Sequence, residues 1–159
     1  MIDVKNEDIY KVKRDDILEI YTDGASRGNP GPAAIAFIFV KDGEIIYRYS
    51  DYIGEATNNV AEYKAILTAL KVARNFTRWR VKVYSDSQLV IRQINKTYRI
   101  RKEHLAELCG NIYEEIRFFD EVSFMYRRRE NKFIRICDEM CSKILEKNGL
   151  TDEEDVCIN

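Results

Sequence analysis

The segment Ile20-Tyr21-Thr22-Asp23-Gly24-Ala25-Ser26-Arg27-Gly28-Asn29-Pro30-Gly31-Pro32 places an acid, Asp23, at the end of an apolar strand and a glycine-rich turn directly after it. Glycine lets backbone N–H groups approach a phosphate or a sugar without interference from Cβ, and Asn29-Pro30-Gly31 favours a tight reversal of the chain. A second apolar run follows at residues 33–40. The segment therefore predicts a hairpin whose first strand ends in an acid that can ligate a metal.

Two further acids stand in comparably marked surroundings. Glu62 lies within Thr57-Asn58-Asn59-Val60-Ala61-Glu62-Tyr63-Lys64-Ala65, and Asp86 lies within Val83-Tyr84-Ser85-Asp86-Ser87-Gln88-Leu89-Val90. A fourth acid, Asp138, flanks the apolar stripe of the last helical segment. Taken alone, each of these acids reads as an ordinary turn or cap residue. Taken together, they can converge near one edge of a sheet.

Carboxylates that converge in this way repel one another and raise one another's pKa, and divalent cations relieve the repulsion. Hard oxygen ligands with open coordination positions suit Mg²⁺ or Mn²⁺. Two such ions about 4 Å apart can activate a water molecule and stabilise the leaving oxygen of a phosphodiester. The acids therefore indicate metal-dependent phosphodiester cleavage.

The periodicity of apolar residues predicts an α/β fold. Three strands joined by short turns form an antiparallel meander, and the later strands are separated by helices, which implies parallel pairing. The sheet is therefore expected to be mixed. The predicted strands cover residues 17–22, 33–41, 44–53, 80–85 and 122–126, and the predicted helices cover about 57–75, 87–95, 103–119 and 133–146.

Length and composition favour one compact domain. The chain has 159 residues, of which 45% are hydrophobic, and its two prolines leave no room for a proline-rich linker. We expect a catalytic domain over residues 15–147, preceded by an extension at 1–14 and followed by an acidic tail at 148–159. No apolar run approaches the roughly 18 to 20 residues of a membrane span, and the first residues do not resemble a signal peptide, so a cytoplasmic location is expected.

Four cysteines are too few for a disulfide framework, and none forms a Cys-x-x-Cys pair. Cys137 and Cys141 share one face of a helix, which predicts buried packing. The net charge is −1, but the basic residues are clustered. Each cluster is either a solvated helix end or a phosphate-binding surface. The clusters are Arg74, Arg78, Arg80 and Lys82; Arg92, Lys96, Arg99, Arg101 and Lys102; and Arg127, Arg128, Arg129, Lys132 and Arg135.

The three segments around Asp23, Glu62 and Asp86 resemble the type 1 ribonuclease H family, and the resemblance covers roughly residues 16–146. It implies an RNase H-like fold with a mixed five-stranded sheet. It also implies that Asp23, Glu62, Asp86 and Asp138 bind two Mg²⁺ or Mn²⁺ ions, with Asp23 bridging both. The implied reaction is endonucleolytic hydrolysis of the RNA strand of an RNA/DNA hybrid, which leaves 3′-hydroxyl and 5′-phosphate ends.

The resemblance also implies a set of substrate contacts and a partner, the RNA/DNA hybrid duplex. Ribose 2′-hydroxyls distinguish RNA from DNA and lie in a wide, shallow minor groove, which short amides and backbone groups can read. A monomer with no membrane association is expected. The contacts carry over to Gly24, Ser26 and Asn29 on the RNA side, and to Thr57, Asn58, Asn59 and Gln88 in the minor groove and at the DNA phosphate.

Three features depart from the family pattern. The segment 94–102 leads almost directly into a helix, so the chain resembles the shorter type without a basic handle. Where many relatives carry a histidine before the last carboxylate, this chain has three arginines, of which Arg128 is the expected phosphate contact; the sole histidine, His104, is expected to be a surface or packing residue. Asn131 precedes Asp138 by seven residues instead of four, which predicts a final helix that begins about one turn earlier, with Asn131 at or near its N-cap.

Two alternative functions remain open from the residues. An inactive nucleic-acid-binding module of the same fold would lack one of the carboxylates, whereas all four are present here. Nucleases of the same fold act on DNA, and double-stranded RNA is a further substrate that the sequence does not exclude.

Overall fold

The computed structural model describes residues 12–158, with side chains described for residues 12–148. One five-stranded sheet has the order β3-β2-β1-β4-β5, and four helices accompany it within the described residues. The strands are β1 Ile17–Ser26, β2 Gly31–Lys41, β3 Glu44–Ala56, β4 Arg80–Ser85 and β5 Glu121–Tyr126. The helices are α1 Asn58–Ala73, α2 Gln88–Ile94, α3 Glu103–Ile116 and α4 Lys132–Ile158.

The strand pairing confirms the predicted mixed α/β sheet. β1, β2 and β3 are antiparallel neighbours, whereas β4 is parallel to both β1 and β5. The difference follows from the connections. Short turns reverse the chain between β1, β2 and β3, whereas helices connect β3 to β4 and β4 to β5 and return the chain in the same direction.

β1 is longer than the sequence predicts, and this changes the setting of Asp23. Asp23 does not end the strand, because Gly24 pairs with Ile35 and Ser26 pairs with Ala33 before the chain turns. The small residues after Asp23 can adopt the extended conformation, so the ladder continues to the reversal at residues 27–30. Asp23 therefore lies within a paired strand, opposite Ala36 of β2, whereas the pairing of β1 with β4 ends at Tyr21.

The helix starts agree with the predicted ones to within one residue. The Thr57 side chain accepts a hydrogen bond from the Val60 N–H, and Ser87 accepts one from the Val90 N–H. Asn131 Oδ1 accepts from the Phe133 and Ile134 N–H groups, which confirms its predicted place at the start of the last helix. α4 extends to Ile158 instead of ending near residue 146. The intervening sequence contains no proline, so nothing in it enforces an earlier end.

Helices cover both faces of the sheet. One face packs against α1 and α3, with Ile20, Phe39 and Ile66 among its fully buried residues. The opposite face packs against α4, where Ala36 and Ile134 are fully buried. A stripe of alanines at every fourth position of α1 is fully buried, which allows this helix to lie close to the sheet. Its members are Ala61, Ala65, Ala69 and Ala73.

The predicted burial of the cysteines is confirmed for Cys137 and Cys141, which lie under the sheet with no exposed surface. Cys109 is also buried, and Cys157 lies outside the described side chains. Within residues 12–158, none of the helices combines the length and the apolar character that crossing a bilayer requires.

Candidate active site

Three carboxylates from separate elements meet at one edge of the sheet. Asp23 comes from β1, Glu62 from the first turns of α1, and Asp86 from the residue that follows β4. Each offers an oxygen, and these oxygens all lie within 4.8 Å of one another. Asp23 and Glu62 are only 6% exposed, and Asp86 is partly buried. The site therefore concentrates negative charge in a place that water hardly reaches.

Glycine at position 24 makes this meeting possible. α1 passes so close to β1 that a Cβ on Gly24 would lie 2.2 Å from the carbonyl carbon of Ala61. Because the backbones approach so closely, the Gly24 N–H donates to Glu62 Oε1 at 2.7 Å. This N–H, expected to face the substrate, instead holds a carboxylate of the site. Any larger residue at this position would push α1 away from Asp23.

Ser85 holds the second oxygen of the same carboxylate. Its hydroxyl donates to Glu62 Oε2 at 2.9 Å and accepts from the Ser87 N–H at 3.1 Å. Glu62 is thus oriented at both oxygens by groups from β1 and β4. Sequence reasoning did not single out Ser85. Its position at the end of a strand, directly before an acid, was the available signal.

Burial and mutual repulsion shape the charge of the site. Burial, reinforced by the negative charge of Asp86, raises the pKa of Asp23 to about 7. Burial also raises the pKa of Glu62 well above its ordinary value, with Asp23 as the next largest cause. The pKa of Asp86 is raised by burial, and the Arg129 guanidinium opposes this shift. The three carboxylates therefore hold protons more tightly than free carboxylates do, and a cation that replaced those protons would relieve the repulsion.

The donor set fits a divalent cation. Asp23 Oδ2 is buried and accepts no hydrogen bond from the described residues, although its oxygen lies within the carboxylate cluster. A buried carboxylate oxygen without a donor is costly unless a cation or a proton occupies it. All the converging groups are hard oxygen donors, as Mg²⁺ and Mn²⁺ prefer. The residues present can therefore hold such an ion.

Asp138 occupies the rim of the site instead of its centre. It is exposed on α4 and does not belong to the set of oxygens within 4.8 Å. Its negative charge nevertheless contributes to the raised pKa of both Asp23 and Asp86. The early start of α4 thus brings Asp138 near the cluster, as the spacing from Asn131 predicts.

Several of the expected substrate-contacting residues lie together beside the carboxylates. Asn58 Oδ1 accepts from the Ser26 N–H at 2.9 Å, and the Asn58 N–H donates to Asn29 Oδ1 at 3.0 Å. Ser26 Oγ also donates to the Ala56 carbonyl at 2.8 Å. These bonds join the β1–β2 turn to the start of α1. Asn29 and Asn58 remain exposed, so they still present amide groups to a ligand.

The other expected contacts differ in their surroundings. Thr57 serves as the N-cap of α1, and Asn59 is partly buried on its first turn. Gln88 is exposed at the first position of α2, two residues after Asp86. These positions place Asn59 and Gln88 on either side of the carboxylates, at the starts of two helices.

The arginines that follow β5 have separate surroundings. Arg128, the expected phosphate contact, is exposed, and its carbonyl accepts from the Asn131 N–H. Arg129 lies with its Nε 4.0 Å from Asp86 Oδ2, and Arg127 stacks on Tyr84 with its guanidinium 4.5 Å from the ring centre. Sequence reasoning missed Arg129 as the neighbour of the carboxylates. In a run of three arginines, the sequence alone does not indicate which side chain points towards the carboxylates.

A family model described as RNase H matches residues 15–118. The chain belongs to the RNase H family. It is 40% identical to the Ribonuclease HI of Halobacterium salinarum over 107 residues, which are 67% of this chain and 54% of that protein. The chain thus spans about half the length of this curated relative, and in the mycobacterial relatives the match covers 25%.

Solved type 1 structures of the RNase H family match over nearly their full length. The RNase H1 of Halobacterium salinarum NRC-1 has a TM-score of 0.78 at 34% identity and covers 82% of this chain and 98% of its own. LC11-RNase H1, solved in complex with an RNA/DNA hybrid, has a TM-score of 0.75 at 34% identity. This match covers 82% of the present chain and 97% of the LC11-RNase H1 chain. These matches confirm the type 1 RNase H resemblance and the predicted fold.

The RNase H fold of this chain has a short connection after the second helix. α2 ends at Ile94, and α3 begins at Glu103, with no further helix between them. Arg92 Nη1 donates to the Tyr98 hydroxyl at 2.7 Å, and this contact folds the connection back onto α2. Arg99, Arg101 and Lys102 remain exposed on it. His104, the second residue of α3, is exposed, which agrees with the predicted surface position.

Proposed function

We propose that this protein is an endoribonuclease that hydrolyses the RNA strand of RNA/DNA hybrids with the help of two bound Mg²⁺ ions. The observation that carries the proposal is the meeting of Asp23, Glu62 and Asp86 within 4.8 Å, with a buried Asp23 oxygen that has no hydrogen-bond donor among the described residues. Membership of the RNase H family supports the same reaction.

In this proposal, Asp23, Glu62 and Asp86 hold the cations at the centre of the site, and Asp138 completes the set from the rim. Asp23, whose buried Oδ2 accepts no hydrogen bond from the described residues, would be the ligand shared by the two cations. Bound Mg²⁺ supplies an activated water and stabilises the oxygen that leaves the phosphorus. Cleavage on this pattern leaves a 3′-hydroxyl and a 5′-phosphate.

The protein's own groups orient these ligands. The Gly24 N–H and the Ser85 hydroxyl each donate to one oxygen of Glu62, so the protein itself orients this carboxylate. Arg129 shields Asp86 from the solvent side. The arginine also places a fixed positive charge beside the carboxylates, where a phosphate of the substrate would approach.

Recognition of the hybrid is assigned to the linked loops beside the carboxylates. Asn29, Asn58, Asn59 and Gln88 carry amide groups that can donate to and accept from ribose hydroxyls and base edges in a minor groove. The bonds among Ser26, Asn29 and Asn58 hold these loops in place before a substrate binds, which reduces the entropy lost on binding. The similar protein LC11-RNase H1 forms a complex with an RNA/DNA hybrid, which supports the assignment.

The proposal is tested with labelled RNA/DNA hybrid, duplex RNA and duplex DNA, each incubated with Mg²⁺, Mn²⁺ or excess chelator. We expect cleavage of the RNA strand of the hybrid only when a divalent ion is present, with 5′-phosphate ends on the products. Gel filtration of the same preparation checks the expected monomer. Cleavage of duplex DNA in preference to the hybrid, or cleavage in excess chelator, would overturn the proposal.

A further inference from the structure

A basic groove lies at the N-terminal ends of β4 and β5, and none of the functions proposed above uses it. Lys13, Arg14, Arg74, Arg78 and Trp79 line it, and the buried side chains of Val12 and Phe76 contribute to its floor. Its volume is about 550 Å³. We call it the distal groove. A volume of this size suits a small ligand or a short piece of a chain molecule.

All the charged residues that line the distal groove are positive. Four of its lining residues are lysine or arginine, and none is an acid. Arg74 pairs with Glu115 at 3.4 Å, whereas Arg14 and Arg78 take part in none of the salt bridges found among the described residues. An anion that entered the groove would therefore meet two arginines, Arg14 and Arg78, whose charges are not neutralised by a salt bridge to any described residue.

Aromatic rings support these arginines. The guanidinium groups of Arg14 and Arg78 lie 5.1 Å and 4.7 Å from the centre of the Trp79 ring. The Arg74 guanidinium lies 3.5 Å from the centre of the Phe118 ring, which is 51% exposed. Stacking restricts the motion of each guanidinium without using its in-plane N–H groups. Arg74 already donates from Nη1 to Glu115, whereas Arg14 and Arg78 form no salt bridge with a described residue. The arrangement is thus a preformed set of anion donors on apolar supports.

The distal groove continues beyond Trp79. A second depression shares Arg78 and Trp79 with it and adds Arg117 and Phe118, with Asp120 as the acid in its lining. Arg117 itself pairs with Glu114 at 3.4 Å. Together the two depressions make a path of alternating guanidinium groups and rings. A path of this kind can follow an extended chain with more than one negative charge.

The distal groove is remote from the carboxylates. It surrounds the start of β4, whereas Asp86 follows the end of that strand. The five residue steps of β4, from Arg80 to Ser85, span about 17 Å. The 16 residues of α1, which begins near the carboxylates and ends near the groove, span about 24 Å. A ligand in the groove would therefore not occupy the catalytic edge.

We propose that the distal groove is a second nucleic-acid site that binds a segment of single-stranded DNA or RNA. Phosphates would accept hydrogen bonds from Arg14 and Arg78, and bases would stack on exposed guanidinium planes and on Phe118. A single strand fits a groove of this volume, because its unstacked bases can turn towards the rings, whereas the bases of a duplex are closed to them. An acidic peptide would use the charge but would leave the rings without stacking partners.

The position of Trp79 provides a direct test, since it is the sole tryptophan of the chain. Labelled oligodeoxythymidine is titrated into the full chain, and its anisotropy and the Trp79 emission are recorded together. We expect binding, a change in emission, and a linear fall of log affinity with log salt whose slope is about −0.7 for each phosphate bound. Poly-glutamate and inorganic phosphate serve as probes of simple charge attraction.

Two variants locate the site. Arg14→Ala with Arg78→Ala should weaken oligodeoxythymidine binding about tenfold or more. Arg48→Ala with Lys143→Ala removes the same charge from exposed positions outside the groove and should change binding less than twofold. Thermal melts of both variants check that the fold is kept. A blunt hybrid bound to the cleavage-deficient Asp23→Asn chain should not displace the oligonucleotide.

Three results would overturn the second site. The first is unchanged binding in the Arg14 and Arg78 variant. The second is complete displacement by the hybrid, which would place the single strand at the catalytic edge. The third is poly-glutamate binding with equal affinity and an equal change in Trp79 emission, which would make the groove a site for acidic protein segments. Hybrid cleavage is measured separately, so failure here does not bear on the proposed ribonuclease function.

Discussion

The two ends of β4 handle charge in opposite ways. At its C-terminal end, Asp86 joins Asp23 and Glu62, and negative charges are gathered where they are largely removed from water. At its N-terminal end, Arg78 and its neighbours gather positive charges on the surface and support them on aromatic rings. One strand therefore separates a buried anionic site from an exposed cationic one.

The difference shows how burial decides what a cluster of like charges can do. Buried carboxylates repel strongly, so their pKa values rise and the cluster binds a small, hard cation or protons. Exposed arginines are screened by water and keep their charge, so they can cluster at low cost and bind a large anion that carries several charges, such as a phosphate chain. The following predictions test this contrast, beginning with the largest expected effect.

The first prediction concerns the centre of the carboxylate site. Asp23→Asn removes the charge and the buried oxygen that a cation would satisfy. We expect hybrid cleavage to fall about a thousandfold or more, because the variant loses a central ligand of the catalytic cations. A thousandfold fall corresponds to about 4 kcal/mol of lost transition-state stabilisation. Single-turnover cleavage of a labelled hybrid in Mg²⁺ measures the effect.

The control for this variant is Asp42→Asn, in the exposed β2–β3 turn. Asp42 has a φ of 52°, and asparagine tolerates that conformation as well as aspartate does. This substitution removes the same charge far from the cluster and should leave cleavage unchanged. Robust cleavage by Asp23→Asn would show that the cluster does not hold the catalytic cations.

The second prediction separates two adjacent acids of α4. Asp138 contributes to the raised pKa of Asp23 and Asp86, whereas Glu139 contributes to neither. We expect Asp138→Ala to lower cleavage about a hundredfold and Glu139→Ala to leave it within about twofold. Initial rates over a range of Mg²⁺ concentrations measure both. If Glu139→Ala were the damaging change, the assignment of the fourth carboxylate would be wrong.

The third prediction concerns stability without metal. The folded-state pKa of Asp23 is about 7, against 3.8 for the free group, so the folded chain binds more protons between these values. Stability in chelator should therefore fall as pH rises from about 4 to about 7 and then level off. Asp23→Asn removes this loss, so at pH 8 it should stabilise the chain by about 2 kcal/mol, and by much less at pH 4.

Denaturant melts in chelator at both pH values measure this stabilisation. Asp42→Asn keeps the carboxylate cluster, so its stability should fall with rising pH as that of the wild type does. Mg²⁺ should narrow the difference between the wild type and Asp23→Asn, because binding stabilises the folded wild type. Equal stability of the two chains at pH 8 in chelator would mean that the buried carboxylates do not repel as the structure indicates.

The sequence was sufficient to predict the mixed five-stranded sheet, because the turn residues and the periodicity of the apolar residues indicate the same fold. Asn29-Pro30-Gly31 marks the first reversal, and Ala61 to Ala73 at every fourth position marks the helix that must lie close to the sheet. The two element ends that differ most from the prediction, those of β1 and α4, lack such a mark. Nothing in the residues after Asp23 distinguishes a paired strand from a loop, because pairing depends on β2, which lies further along the chain.

The acids of the carboxylate cluster were predictable because each stands in a distinctive segment, but their supporting contacts were not. Gly24 was expected to face a substrate, and its N–H instead holds Glu62, because the close approach of α1 is a property of the packed fold. The side chains of Ser85 and Arg129 point towards the carboxylates, and the sequence around them does not indicate these directions. The distal groove depends on Arg14 and Arg78 meeting across a turn, 64 positions apart in the chain.

The last prediction asks which positive charges serve the hybrid. Arg99, Arg101 and Lys102 are exposed on the connection that follows α2, and α2 begins two residues after Asp86, so this cluster belongs to the catalytic end of the molecule. Replacing all three by alanine should weaken hybrid binding about tenfold and reduce the slope of log affinity against log salt by about 0.9 for each phosphate that the variant no longer binds. Anisotropy of a labelled hybrid on the Asp23→Asn background measures both quantities.

The matched comparison for that triple variant is Arg14→Ala with Arg78→Ala, at the other end of β4. These arginines lie about 17 Å or more from the carboxylates along the strand, beyond the screening distance of about 8 Å at physiological salt. Their loss should therefore change hybrid affinity less than twofold and leave the salt slope unaltered. If instead both variants weakened the hybrid equally, the cationic end would be part of one continuous duplex surface. An unchanged slope in the triple variant would show that Arg99, Arg101 and Lys102 form a solvated surface that does not bind phosphate.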